Sequence, residues 1–487
     1  MSAEGLFWAP RAWVDGAWAN AVLLRVDARG HWAQVSPDTP PPLSFADAQL
    51  LPGPVLPSLV NAHSHAFQRA FVGLAERRDS AQDDFWSWRD RMYRVALRIT
   101  PAQLQAVATQ LYAELLAGGY TQVCEFHYLH HAEDGKAYAD EAAMSRALAA
   151  AAQTCGMGLT LLPVLYQRAG FKQPELRADQ RRFAADVARV LRLRDAVRSW
   201  NLPNVSAGVA IHSLRAASAG SVRDLVLQLR GDPGPLHIHI AEQTGEVSDC
   251  LAATGARPIE WLARELPLDA RWQLVHATHA TPEEIRAVAA SGAGVVLCPG
   301  TEANLGDGLA DLPRWLAAGV PLSLGSDSHV TRNWPEELRW LEYGQRLLLR
   351  QRNVAAAPGS RPGSMPGSRS DSRPGSEPSS EPGSEPASEP STAARLFERM
   401  RAGGATAAGF AQWGLVVGAR ADLLVLDVAQ SALCGLPPTH LLDGLVFGAP
   451  ERPFSMVMVA GRWVDVANKP TPGFRAAMQA LWPQPTA

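Results

Sequence analysis

From Pro54 to about Arg352 the chain alternates short apolar runs with amphipathic stretches, and this alternation constrains its fold more than any other feature. The apolar runs cover 55–61, 121–126, 159–165, 205–211, 236–241, 272–277, 294–298 and 320–325, each short enough to be a buried strand. Between most of them lie helix-patterned segments at 102–117, 140–154, 178–198, 222–230, 255–265, 282–290 and 311–318. Thr100-Pro101, Thr281-Pro282-Glu283-Glu284 and Asp311-Leu312-Pro313 carry helix-start signals, and Gly118-Gly119 and Gly319 stand just past helix ends. Eight strands interleaved with helices predict a parallel (β/α)8 barrel, whose functional side chains gather at the C-terminal strand ends. A doubly wound open sheet is the alternative. It usually carries a glycine-rich phosphate loop opening a helix, whereas Gly292-Ala293-Gly294 precedes a strand and reads as a turn.

The barrel reading makes a demand that the residues meet: polar, chemically capable side chains follow the strands. His63, His65 and Gln68 follow the first strand, and His127 and Tyr128 the second. His212 and Arg215 follow the fourth, and the fifth holds His237 and His239 with Glu242 and Gln243 beyond. His276 ends the sixth, with His279 beyond it; Thr301, Glu302 and Asn304 follow the seventh, and Asp327 and His329 the eighth. Side chains alternate across a strand, so His63 and His65 share a side and can grip one ion. The plain alternative is two polar residues bonded to nearby backbone. His239 is preferred over His237 as a ligand because it lies nearer the C-terminal end, and Glu242 beside it can move protons. Asp327 reads as a turn cap after Gly-Ser or as a fourth ligand and proton acceptor. Three imidazoles and one carboxylate suit zinc, with iron(II) or manganese as alternatives.

These residues resemble the amidohydrolase superfamily: His-x-His after strand 1, His after strands 5 and 6, Asp after strand 8. No Lys stands near the end of strand 4, where two-metal members carry a bridging one, so the resemblance implies one divalent ion. Longer stretches match the branch that deiminates N-formimino-L-glutamate, namely Asn61 to Ala70, Phe85 to Arg89, Glu125 to His131, Ile211 to Arg215, His237 to Gln243, Leu274 to His279, Cys298 to Gly308 and Gly325 to His329. The resemblance implies His63, His65, His239 and Asp327 as ligands of one zinc (or iron(II)) ion. It also implies hydrolysis of N-formimino-L-glutamate to N-formyl-L-glutamate and ammonia. Glu242 is expected to carry a proton to the departing nitrogen, with His276 and Asp327 taking one from water. The substrate has two carboxylates, so Arg89 and Arg215 are expected to bind them, with Gln68, Tyr128 and His212 adding hydrogen bonds. On spacing alone Arg89 reads first as a solvated helix charge beside Asp84, Asp90 and Arg91, and only the resemblance makes it a carboxylate-binding group. Gly300 stands where the branch leads us to expect Thr. Two other readings stay open: a deaminase of a purine or triazine ring on the same barrel, and a non-catalytic barrel scaffold.

Residues 1–53 carry short strand-like runs, and 412–467 carries more. The resemblance implies that they form one discontinuous β-sandwich domain, with the barrel over 54–411 and a tail at 468–487. Within the barrel segment, 355–391 repeats Pro-Gly-Ser and Ser-Glu-Pro units with almost no apolar residue and is expected to be a disordered insertion. With 45 basic and 48 acidic residues the chain offers no footprint for nucleic acid or an anionic membrane. Five scattered cysteines argue against a disulfide framework, and neither a signal peptide nor a membrane span is visible. A cytoplasmic homodimer acting on a small molecule is expected.

Overall fold

The structure is a computed structural model describing residues 4–42, 48–76, 85–356, 390–451, 453–466 and 469–483. Most of the Pro/Gly/Ser/Glu insertion expected at 355–391 therefore lies outside the described residues.

Eight parallel strands close into a barrel. They are Leu59–Ser64, Tyr120–His127, Gly158–Leu165, Val205–Ala207 continued by Val209–Ile211, Leu236–Ile240, Trp272–His276, Gly294–Leu297 and Leu322–Leu324. Closure joins Leu324 to Asn61 on one side and Val164 to Ala210 on the other. Most of the strands are buried on both faces, and several, such as Gly158–Leu165, read in sequence as near-continuous apolar runs. The fourth strand breaks at Gly208, where a Cβ would lie 2.3 Å from the Pro235 carbonyl oxygen.

The helix-start signals act as expected. Thr100 accepts from the Gln103 N–H while the Gln103 side chain accepts from the Thr100 N–H, and Thr281 and Glu284 form the same reciprocal cap. Three segments differ from expectation. The run 55–61 divides at Pro57, which has no N–H to donate: Val55–Leu56 joins another sheet and the barrel strand begins at Leu59. The stretch 178–198 is a short 3-10 turn, Ala178–Phe183, followed by a helix, Val187–Ser199, capped by Asp186. A further helix, Thr244–Thr254, precedes Pro258–Glu265.

The second sheet is built from both ends of the chain. Gly5–Val14, Ala17–Val26, Trp32–Ser36 and Val55–Leu56 meet Leu423–Leu426, Phe454–Val459 and Arg462–Val464 in one hydrogen-bonded path, and Gln49–Leu50 pairs with Gly5–Val14 beside it. It has its own core, in which Phe7, Leu24, Trp32, Val55, Val425 and Met458 are buried. Arg420 and Asp422 form a buried ion pair that also bonds Gln122 and Thr121, at the start of the second barrel strand. Helix Thr392–Ala407 packs across the barrel strands, and the segment read as a tail carries a helix, Phe474–Leu481, beside Trp482, whose indole donates to the Ala70 carbonyl. No helix among the described residues is long and apolar enough to cross a membrane.

Candidate active site

At the C-terminal end of the barrel three imidazoles converge. His63 Nε2 lies 3.1 Å from His65 Nε2 and 2.9 Å from His239 Nε2. Asp327 Oδ1 stands 3.5 Å from His63 Nε2 and 3.4 Å from His65 Nε2. All four side chains are buried. Bonds of about 2.1 Å to one ion leave neighbouring ligand atoms about 3.0–3.5 Å apart, the spacing seen from His63 to His65, His239 and Asp327. His65 Nδ1 lies 2.9 Å from the Phe126 carbonyl and so carries the ring proton, leaving the Nε2 lone pair to face the centre. Burial pushes the His63 imidazole down to about 3 and lowers His65 and His239 as well, so all three favour the neutral, ligating form. Burial by itself would raise Asp327, but the hydrogen bond to His63 and the charge of His276 hold it well below the usual carboxylate range. This donor set fits one divalent ion.

The strand ends are bent to aim these groups. Ala241, His276, Ala277 and Asp327 all have positive φ, a conformation costing a non-glycine residue on the order of 1 kcal/mol. Hydrogen bonds hold the bends. The buried Glu246 carboxylate accepts from the Ala241 N–H at 3.1 Å and from the Glu242 N–H at 3.0 Å. Glu242 Oε1 reaches to 3.8 Å from His276 Nε2, which lies 3.8 Å from Asp327 Oδ2. Behind His276, Glu302 Oε1 lies 3.3 Å from Nδ1 and accepts from the Cys298 N–H at 2.9 Å. Burial pushes Glu242 up to about 7, with His276 opposing and Asp327 adding. Burial alone would lower His276, yet Glu242, Cys298 and Glu302 carry it well above the usual imidazole range.

A cavity opens over this centre. Every residue expected to bind substrate lines it: Gln68, Arg89, Tyr128, His212 and Arg215. Gln68 Nε2 donates to Tyr128 Oη at 3.1 Å, while Gln68 Oε1 is buried with no partner. Arg89 lies on helix Phe85–Ala96 with its guanidinium 5.6 Å from the Tyr93 ring centre and 3.8 Å from Asp90. Burial, then the charge of Arg215, lowers His212 far below its ordinary value, so it is a neutral hydrogen-bonding group.

Other strand-end histidines stay outside the centre. His237 Nε2 lies 2.8 Å from the Ala407 carbonyl, His329 Nδ1 2.9 Å from Ser326 Oγ, and the His127 ring packs edge-on to His130. Glu246 and the aromatic residues Tyr93, Tyr166 and Phe183 of the cavity wall carry no sign in the local sequence. The glycine at 300 has a physical reason: a Cβ there would lie 2.6 Å from Thr331 Oγ1 and 3.0 Å from Glu337 Oε1, while the Gly300 N–H donates to Glu337 Oε2 at 2.8 Å.

The family model described as "Amidohydrolase family" matches residues 55–361, the span of the barrel strands. The chain belongs to the amidohydrolase family. Among the relatives of this amidohydrolase is a formimidoylglutamate deiminase of Pseudomonas aeruginosa, 44% identical over 457 residues that cover 94% of this chain and 93% of that one. The crystal structure of an amidohydrolase from Brucella melitensis superposes with a TM-score of 0.86 at 38% identity, covering 98% of this chain and 99% of that one. A zinc-bound adenosine deaminase of Xanthomonas campestris shares the fold, with a TM-score of 0.75 at 22% identity over 98% of this chain and 97% of its own.

Proposed function

We propose that this amidohydrolase hydrolyses N-formimino-L-glutamate to N-formyl-L-glutamate and ammonia. The observation that carries the reading is one cavity lined by His65, His239, His276 and Asp327, with His63 Nε2 within 3.1 Å of the first two, together with two arginines. Two guanidiniums suit a ligand with two carboxylates, and the likeness to the Pseudomonas aeruginosa deiminase along nearly the whole chain supports that substrate.

His63, His65, His239 and Asp327 would hold one zinc ion (iron(II) is the alternative), which when bound supplies a Lewis acid and a water acidic enough to ionise near neutral pH. Arg89 and Arg215 bind the substrate carboxylates and bring the formimino carbon over Asp327 and Glu242. Gln68, Tyr128 and His212 add hydrogen bonds that fix its orientation. Asp327, an ionised carboxylate, takes the proton released as water adds to the formimino carbon, while His276, protonated beside Glu242 and Asp327, hydrogen-bonds the added oxygen. A new C–O bond forms and the C=N bond becomes single. Glu242, poised near neutrality, passes a proton to the nitrogen. The C–N bond then breaks, ammonia leaves, and the carbon keeps its oxygen as the formyl group.

The test is ammonia release from N-formimino-L-glutamate by the purified protein, with and without a chelator. Chelator-sensitive release with N-formyl-L-glutamate as product is expected. A zinc-replete sample that releases none would overturn the substrate and move the search to other amidines and ring amines.

A further inference from the structure

Gln243 follows Glu242 in the chain and lines the same cavity. It occupies the N-cap position of helix Thr244–Thr254 but makes no cap with its side chain. Its Nε2 donates instead to Oδ1 of Asp307, from the loop after the seventh strand. That loop is held in place: the Asp307 N–H donates to the Glu302 carbonyl at 3.0 Å, and Gly306 and Gly308 on either side have φ of 71° and 113°. Asp307 is 5% exposed, and its Oδ2 is buried with no partner. Burial, then the neighbouring charge of Glu242, pushes its acid up to about 9, which keeps it neutral at physiological pH.

With one Nε2 hydrogen committed to Asp307, Gln243 has its carbonyl, Oε1, and its second N–H left to offer. An amide carbonyl accepts and cannot donate. Of the other side chains lining the cavity, Arg89 and Arg215 can only donate, the carboxylates of Glu242, Glu246 and Asp327 are engaged in the proposed reaction or in holding its turn, and Gln68 keeps an unpartnered Oε1 beside Tyr128. An amidine is rich in N–H and, as a protonated cation, seeks acceptors. We infer that Gln243 is a substrate-reading residue, whose Oε1 accepts from the N–H between the formimino carbon and Cα, and that Asp307 is the positioning residue that turns it inward. The inference rests on the proposed substrate and extends it. The site then selects a secondary amidine N–H, in addition to two carboxylates and a hydrolysable carbon.

The test uses equilibrium binding, so that it does not depend on turnover. The zinc-loaded Glu242→Gln protein is titrated calorimetrically with N-formimino-L-glutamate and with its N-methyl analogue, in which that N–H is replaced. Adding Gln243→Ala should weaken the parent ligand about 10- to 100-fold, the range for a hydrogen bond to a charged partner, and leave the N-methyl ligand within about 3-fold. Asp307→Ala should reproduce that selective loss. Asp307→Asn, a neutral isostere whose carbonyl still accepts from Nε2, should restore it; a purely structural role for Asp307 would move both ligands together. Equal loss for both ligands, or no loss for either, would overturn the assignment. Binding of neither ligand before Gln243 is changed would overturn the substrate itself, and with it the amidine as the partner of Gln243.

Discussion

Glu246 makes no direct contact with the proposed ion, yet the placement of Glu242 depends on it. Its two carboxylate oxygens accept the N–H groups of Ala241 and Glu242 at 3.1 and 3.0 Å, across a turn whose Ala241 has φ of 52°. Glu246→Gln keeps the shape but turns an NH2 toward one of those N–H groups. One charge-assisted bond is lost and one buried donor is left unpaired, about 3 kcal/mol in isolation. Burial already disfavours the charged carboxyl, raising its pKa, so removing the charge offsets part of this. We expect a net loss of about 1–2 kcal/mol. Unfolding entropy of about 2.1 cal/mol/K per residue, over a chain of 487 residues, converts that into a Tm drop of about 1–2 °C. The effect on activity should be far larger, because a shift of about 1 Å in a proton-transfer group can cost about 100-fold in kcat. Ammonia release and scanning fluorimetry, with bound metal measured in parallel, give the three numbers. A variant with full metal and kcat within about 3-fold of the parent would refute the claim that this turn sets the position of Glu242.

Glu242→Gln should retain its metal by elemental analysis and lose at least about 100-fold in kcat; loss of metal would make Glu242 a ligand instead of the acid. Gly300→Thr forces a side chain against Thr331 and Glu337 and should cost about 1–3 kcal/mol, so an unchanged Tm would show that this buried network yields freely. Glu125, buried and bonded to the Ala66 N–H and Ser64 Oγ, is pushed up by burial to about 7. Between about pH 4.5 and 7 the folded carboxyl keeps a proton that the unfolded chain has lost, so stability falls as pH rises through that window, by about 3 kcal/mol in all. Glu125→Gln removes that slope, and its Tm should gain on the parent by about 3 °C between pH 5 and pH 8; a constant difference would mean that Glu125 is already ionised in the fold.

The barrel was legible because a parallel strand covered on both faces has to be apolar almost throughout, and eight such runs leave few other architectures. The centre was legible for a different reason. His63, His65, His239, His276 and Asp327 are chemically distinctive residues at one kind of position, and their common placement outweighs each one's ordinary explanation. Where the reading slipped, the signal was weak or local. Val55–Leu56 and Leu59–Ser64 form one apolar run, and the single break is a proline that could equally have closed a strand. Helix Thr244–Thr254 buries Glu246, Val247 and Cys250, too narrow a stripe to announce itself.

Glu246, Asp307 and the role of Glu302 behind His276 were hidden for a deeper reason. Each is an ordinary acidic residue on or beside a helix, where a solvated charge is the default expectation. What sets it apart is a partner that only the closed barrel supplies: Glu302 meets His276 26 residues away, and Asp307 meets Gln243 64 residues away. The same holds for the bends at Ala241, His276 and Asp327. Glycine or asparagine would have marked a positive φ in the sequence, but these positions carry the side chains that the site requires or support them, and the local conformational cost is met by hydrogen bonds from other strands. A sequence can display the groups that meet at the centre, because their chemistry is rare. The groups that hold them at the right angle are common ones, and the closed barrel is what makes them specific.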